Sequence, residues 1–209
     1  CQDDYLIEVP EAPDQAVLGR TLTAMKNFAV QHDDLRMTAM IVPNASSVMR
    51  DYLPKNAPAH NQQEDLFAVN QTLSPFMQYA DVTQALKDHV KDGVFFRTDH
   101  HWTSLGAHCA FDASAELLGI ETPITDYNVH VLTNSFEGTL ASKSGKHTAV
   151  DAITTYEPLG TDVSYYVVYD STQEKAGSVY VDSALDSKDK YTVFFGGNHP
   201  LVTIKTTAN

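Results

Sequence analysis

The chain has 209 residues, 43% of them hydrophobic and 10% aromatic, enough apolar material for a sizeable core, which excludes wholesale disorder. Fourteen Lys and Arg against 27 Asp and Glu leave a formal charge of -13, a field that repels phosphate backbones and argues against a nucleic-acid partner. No window reaches the roughly 18 uninterrupted apolar residues of a membrane helix, and the N-terminus lacks the basic-then-apolar pattern of a secretion signal.

In chain order, apolar residues at 17, 18, 22, 25, 28 and 29 predict an amphipathic helix over Val17 to Val30. The run Met37 to Val42, closed by Pro43-Asn44, reads as a buried strand, and a short helix is expected from Ser46 to Tyr52. Asn61 to Met77 is helical in pattern but interrupted at Ser74-Pro75. Tyr79 to Val82 is a strand candidate, Thr83 to Val90 a short helix, and Val94 to Phe96 a third strand. Thr103 to Leu118 predicts a helix capped by Thr103 and stopped by Gly119.

This alternation defines an α/β architecture, a sheet flanked by helices. After Pro123 the texture changes to Val- and Tyr-rich stretches, Val163 to Tyr169 and Ser178 to Val181, with little helical period. Tyr191 to Phe195 reads as a strand closing in the turn Gly196-Gly197-Asn198-His199-Pro200, with Leu201 to Ile204 placed to pair back. With no repeat and no long linker, one domain over 1–209 is expected, carrying an irregular β-rich excursion over about 142–187. Cys1 and Cys109 are too few for a disulfide framework or a four-sulfur zinc site. An opening Cys1 is similar to the first residue of a processed lipoprotein, which would imply a membrane tether outside these residues.

Chemistry concentrates at Thr98-Asp99-His100-His101-Trp102-Thr103-Ser104, between the strand ending at Phe96 and the helix from Thr103. Loops after strands of α/β sheets are where such folds build sites. Asp99 and His101 lie two apart, so the carboxylate can accept from one ring nitrogen and leave the other as a general base. Three readings fit: acid and base for a serine nucleophile, a divalent-metal site of Asp99, His100 and His101 with His108 as a further ligand, or a helix cap with packed rings. No HExxH or comparable ligand spacing supports the metal. Trp102, the only tryptophan, reads as packing that locks the turn. His32, His60, His89, His130 and His147 read as surface groups, and His199 stays open.

The segment Thr98 to Ser104, followed by Gly106-Ala107, resembles the signature of the bacterial DHHW family. Val42-Pro43, Leu53-Pro54, Phe136-Glu137-Gly138-Thr139 and Asp189-Lys190-Tyr191 leading into Gly196-Gly197-Asn198-His199-Pro200 are similar to further blocks of that family in the same order. The family is similar to the acetyltransferase-like branch of the SGNH hydrolases, including alginate O-acetyltransferases. The resemblance implies an SGNH-hydrolase-like fold, Asp99 as orienting acid and His101 as base. Thr98, His100 and Trp102 would support them, and Gly196, Gly197 and Asn198 are candidates for oxyanion or substrate contacts, although a tight turn explains them equally well.

The implied reaction is serine-based ester hydrolysis or O-acetyl transfer on a cell-envelope or secreted polysaccharide, outside the cytoplasm, with a carbohydrate substrate and no cofactor. The nucleophile is expected in a later Asp-Ser-Tyr-like block beyond residue 209, because Ser46, Ser47, Ser104 and Ser135 do not sit in a strand-to-helix elbow. The alternative is a carbohydrate-binding or envelope-assembly protein on the same fold without catalysis. An exposed apolar edge is expected near the C-terminus.

Overall fold

A computed structural model describes residues 1–121, 124–160 and 164–207. The contacts divide into two units, Cys1–Pro123 with Thr139–Ala149, and Ile124–Gly138 with Val150–Asn209. The excursion expected over about 142–187 overlaps the second unit, which also takes in residues 124–138 and the C-terminal stretch.

In the first unit, side chains satisfy the unpaired amides at the starts of the longer helices. Asp14 accepts from Ala16 and Val17 (2.8 and 3.0 Å) to open α1, Gln15–Gln31. Strand β1, Thr38–Met40, leads to the short α2, Ala45–Val48, and a 3-10 turn at Arg50–Tyr52. Asn61 caps α3, Gln62–Leu73, which stops before the proline as the sequence predicts. Then follow β2, Gln78–Ala80, α4, Thr83–Asp88, α5, Ser104–Ser114, and, after the chain returns from the second unit, α6, Thr139–Ser144.

Strands β1 and β2 pair in parallel, Ala39 opposite Tyr79 and Met40 opposite Ala80. Alternation along β1 sends successive residues to opposite faces. Ala39 packs with Val69 and Leu73 of α3 and Leu18, Leu22 and Met25 of α1. Met40 instead joins the cluster of Val48, Leu86, Val94, Phe95 and Ala110, against which Trp102, Leu105 and Cys109 also pack. Helices therefore cover both faces of the strand pair, the arrangement that the α/β pattern predicts. Leu73 and Leu86 are wholly buried, each contributing about 1.5–3 kcal/mol of apolar transfer. Among the described residues no helix is long and apolar enough to cross a membrane. Both cysteines are unbridged.

The second unit is antiparallel. Strand β3, Tyr127–Phe136, pairs with β4, Asp151–Pro158, with register shifts near Thr133. Strand β5, Tyr165–Tyr169, lies between β6, Glu174–Ala176, and β7, Val202–Thr206. Ile204 on the edge strand β7 is 48% exposed, an apolar residue on the outermost strand of its sheet.

Three predicted strands are corrected. Val94 to Phe96 is buried and extended but adds no strand to the parallel pair. It makes a single bridge, Phe95 to Trp102, because the chain folds back on it within a few residues. Tyr191 to Phe195 is largely a 3-10 turn, over Lys190–Val193. There Thr192 Oγ1 donates to the Asp189 carbonyl at 2.6 Å, a local bond that competes with extended pairing. Ser178 to Val181 holds only the bridge Tyr180 to Phe194, and residues 202–206 pair with β5 instead of turning back on 191–195. Val163, the start of another predicted strand, lies outside the described residues.

One close approach controls the loop at 97–101. A Cβ on Gly106 would lie 2.3 Å from the Val94 carbonyl oxygen and 3.1 Å from the Trp102 Cβ. Only glycine lets α5 sit this near to the 94–102 backbone. Gly106→Ala is expected to lower stability by about 1–3 kcal/mol through forced backbone displacement, read as a reduced melting temperature in thermal denaturation. An unchanged melting temperature would mean that α5 tolerates a shift away from Val94.

Candidate active site

The loop at 97–101 is pinched at its base. Thr103 donates its amide to Val94 (2.9 Å) and its hydroxyl to Gly93 (2.8 Å), and the Phe96 amide donates to His101 (3.3 Å). The same Thr103 hydroxyl accepts from the Gly106 amide at 3.2 Å, so one residue both caps α5 and ties it to the loop. Trp102 packs, partly buried, on the core cluster below, in line with the packing role read from the sequence.

Above the pinch, Thr98 and Asp99 are buried. The Thr98 carbonyl accepts from the amides of Leu140 (3.0 Å) and Ala141 (3.1 Å) in α6. Asp99 uses both oxygens. Oδ1 accepts from the His101 amide at 3.0 Å, a short-range turn typical of Asp, and pairs with His101 Nδ1 at 2.5 Å. Oδ2 accepts from the Thr139 amide at 2.7 Å. Burial alone would raise the Asp99 carboxyl. The hydrogen bonds from the His101 ring and the Thr139 and His101 amides, together with the imidazole charge, outweigh it and hold Asp99 well below the ordinary carboxylate range.

An ionised Asp99 facing Nδ1 keeps the imidazole proton on that nitrogen and assigns basicity to Nε2. The His101 side chain is 37% exposed while that of Asp99 is 2% exposed. The carboxylate is sealed from solvent and the imidazole is partly open to it. His100 stacks obliquely on His101, ring centres 4.0 Å apart, with its Nδ1 3.7 Å from Asp99 Oδ1.

Asp99, His100 and His101 also bring ligand atoms within 4.8 Å of one another. These atoms fit a cation poorly, because the Asp99 oxygens are committed to the His101 ring and to backbone amides, and a metal would have to displace the proton between Asp99 and His101. His108, the fourth ligand considered, approaches Asp112 instead, at 3.4 Å.

Among the candidate serines, Ser46 and Ser47 lie buried in α2, Ser104 opens α5, and Ser135 is exposed on β3 beside Thr133. Gly196, Gly197 and Asn198 belong to the second unit. Gly196 and Gly197 have φ of 75° and 107°, and Gly197 donates to Phe194 at 3.2 Å, so a tight turn requires these glycines. His199 hydrogen-bonds the Phe195 carbonyl at 2.9 Å and packs on Tyr169. Of the histidines read as surface groups, His60 differs: it is half-buried and bound to Asp65 at 2.5 Å.

Sequence reasoning misses the donors at Thr139 to Ala141. The Phe136-Glu137-Gly138-Thr139 block is visible, but nothing in it announces a backbone amide aimed at a carboxylate 40 positions earlier.

Residues 3–198 match the family described as SGNH hydrolase-like domain, acetyltransferase AlgX. The chain belongs to this family of SGNH hydrolase-like acetyltransferase domains. Its structure is similar to a DHHW family protein from Eubacterium siraeum, at 23% identity and a TM-score of 0.76, over 98% of this chain and 69% of that one. It is also similar to PatB1 of Bacillus cereus (15% identity, TM-score 0.73, 97% of this chain and 71% of that one). A further similarity is to the O-acetyltransferase domain of Pseudomonas putida AlgJ (23%, 0.56, 76% and 64%). A comparison with curated protein sequences finds no match.

The charge on Asp99 links the site to stability. Because its folded pKa is lowered, its contribution is complete above the ordinary value of about 4 and is lost as pH falls below it. Thermal denaturation from about pH 4 down to about pH 2 is expected to show the wild type progressively losing its advantage over Asp99→Asn. Parallel curves across that range would show that the carboxylate carries no net stabilisation.

Proposed function

We propose that this protein is a serine-type esterase or O-acetyltransferase acting on a cell-envelope or secreted polysaccharide outside the cytoplasm, with Asp99 as orienting acid and His101 as base. The observation that carries this reading is the 2.5 Å contact of a sealed Asp99 with a partly exposed His101 ring. It is the acid–base half of a triad, and its nucleophile in this reading is a serine of the later block that the DHHW resemblance places beyond residue 209.

His101 Nε2 takes the proton from the serine hydroxyl as its oxygen attacks the ester carbonyl, and the tetrahedral oxyanion needs preorganised donors about 3 Å away. Collapse expels the donor alcohol, which takes the proton from the imidazolium. The acyl-serine then passes its acetyl group to a sugar hydroxyl, or to water, whose proton His101 removes and returns to the serine oxygen as the acyl–serine bond breaks. His100, Thr98 and Trp102 hold the loop. AlgJ is described as having an O-acetyltransferase domain, and PatB1 carries a sulfonyl adduct, both consistent with acyl chemistry at this fold.

In the full-length protein, release of acetate from an aryl acetate is expected, with His101→Ala slowing it about 10²- to 10⁴-fold. Mass spectrometry after a sulfonyl fluoride should find one labelled serine. Undiminished turnover in His101→Ala would overturn the assignment. Retention of a polysaccharide with neither turnover nor labelling would favour the binding protein instead.

A further inference from the structure

We propose that Ser46 is a positioning residue for Asp99, acting through an ordered water held between them. The inference rests on the reading of Asp99 as the orienting acid. The Ser46 hydroxyl is buried and hydrogen-bonds no group among the described residues. A buried hydroxyl left unpaired is costly, so such a group normally has a water or ligand partner.

Ser46 lines a cavity of about 40 Å³ together with Asn44, Asp99, His100 and Leu140. One water needs about 10–15 Å³ of such space and two to four polar partners. The partners are at hand. A carboxylate offers about four acceptor directions, and Asp99 uses three, for the Nδ1 and amide of His101 and the amide of Thr139. Asn44, whose side chain makes no cap bond to α2, lines the same cavity. Ser46 and Asp99 therefore border one small polar space, and each has a hydrogen-bonding direction that no described residue fills. A water there supplies the fourth donor to the carboxylate, fixes its rotation and moderates its pull on the His101 proton.

Ser47 provides an internal comparison. Its hydroxyl is equally buried and equally unpaired in the same helix, but it lines a different cleft, with Arg50, Tyr52 and Lys87.

The test is a crystal structure of the chain together with the NMR resonance of the His101 Nδ1 proton. The structure is expected to show water within about 3.2 Å of both Ser46 Oγ and an Asp99 oxygen. Ser46→Ala should remove one donor from the carboxylate and move the proton resonance downfield. Ser46→Thr, which keeps the hydroxyl, should return it toward the wild-type position, and Ser47→Ala should leave it in place. A cavity without water, or a resonance unmoved by Ser46→Ala, overturns the proposal, as does an equal shift in Ser47→Ala. None of these readouts requires turnover, so the role of Ser46 is tested even if the protein proves to be a binder.

Discussion

An anion removed from water survives only where fixed donors replace the hydration it has lost, and at Asp99 that replacement is made largely by backbone. The amides of His101 and Thr139 approach opposite oxygens, and the His101 ring closes the third direction. The surrounding architecture follows from this requirement. The loop must be tight enough to turn the His101 amide inward, α5 must hold its base, and α6 must present its first amide from the far side. Removing any of these supports leaves a buried charge short of a donor.

The supports are themselves interlocked. Thr103 ends the loop, caps α5 and bonds the Gly93 carbonyl, while Gly106 lets the helix lie against Val94. Val94 and Phe95 sit in the cluster that also receives Met40 and Val48, so the loop is rooted in the core that the parallel strands organise. Precision at the imidazole is thus a property of packing several residues away, the usual condition for a preorganised site.

Much of the first unit is legible in the sequence because its signals are local. Asp14, Asn61 and Thr103 mark helix starts by side-chain chemistry, and the Asp99–His101 pair is set by a two-residue spacing. What escapes depends on distant partners. Val94 to Phe96 and Tyr191 to Phe195 have strand-like composition, but whether an apolar run joins a sheet depends on an available neighbour: the first meets only its own loop at Trp102, and the second, mostly a 3-10 turn, makes a single bridge to Tyr180. The β3–β4 pair is hidden for the opposite reason. Ile153 and Thr155 are buried, yet the strand around them is rich in threonine and acid and shows no clear apolar stripe.

The route of the chain has its own consequence. It leaves the first unit after residue 123 and returns at Thr139 to contribute α6, with the long strand β3 spent elsewhere in between. The amide that completes the Asp99 cradle therefore arrives from 40 residues downstream, after a closure whose entropy must be met before the contact forms. In folding, the helices and the parallel pair can assemble from residues made early, while the carboxylate waits for a late partner. Until the chain has come back, water stands in for the Thr139 amide at Asp99, and the cradle closes only with residues made 40 positions later.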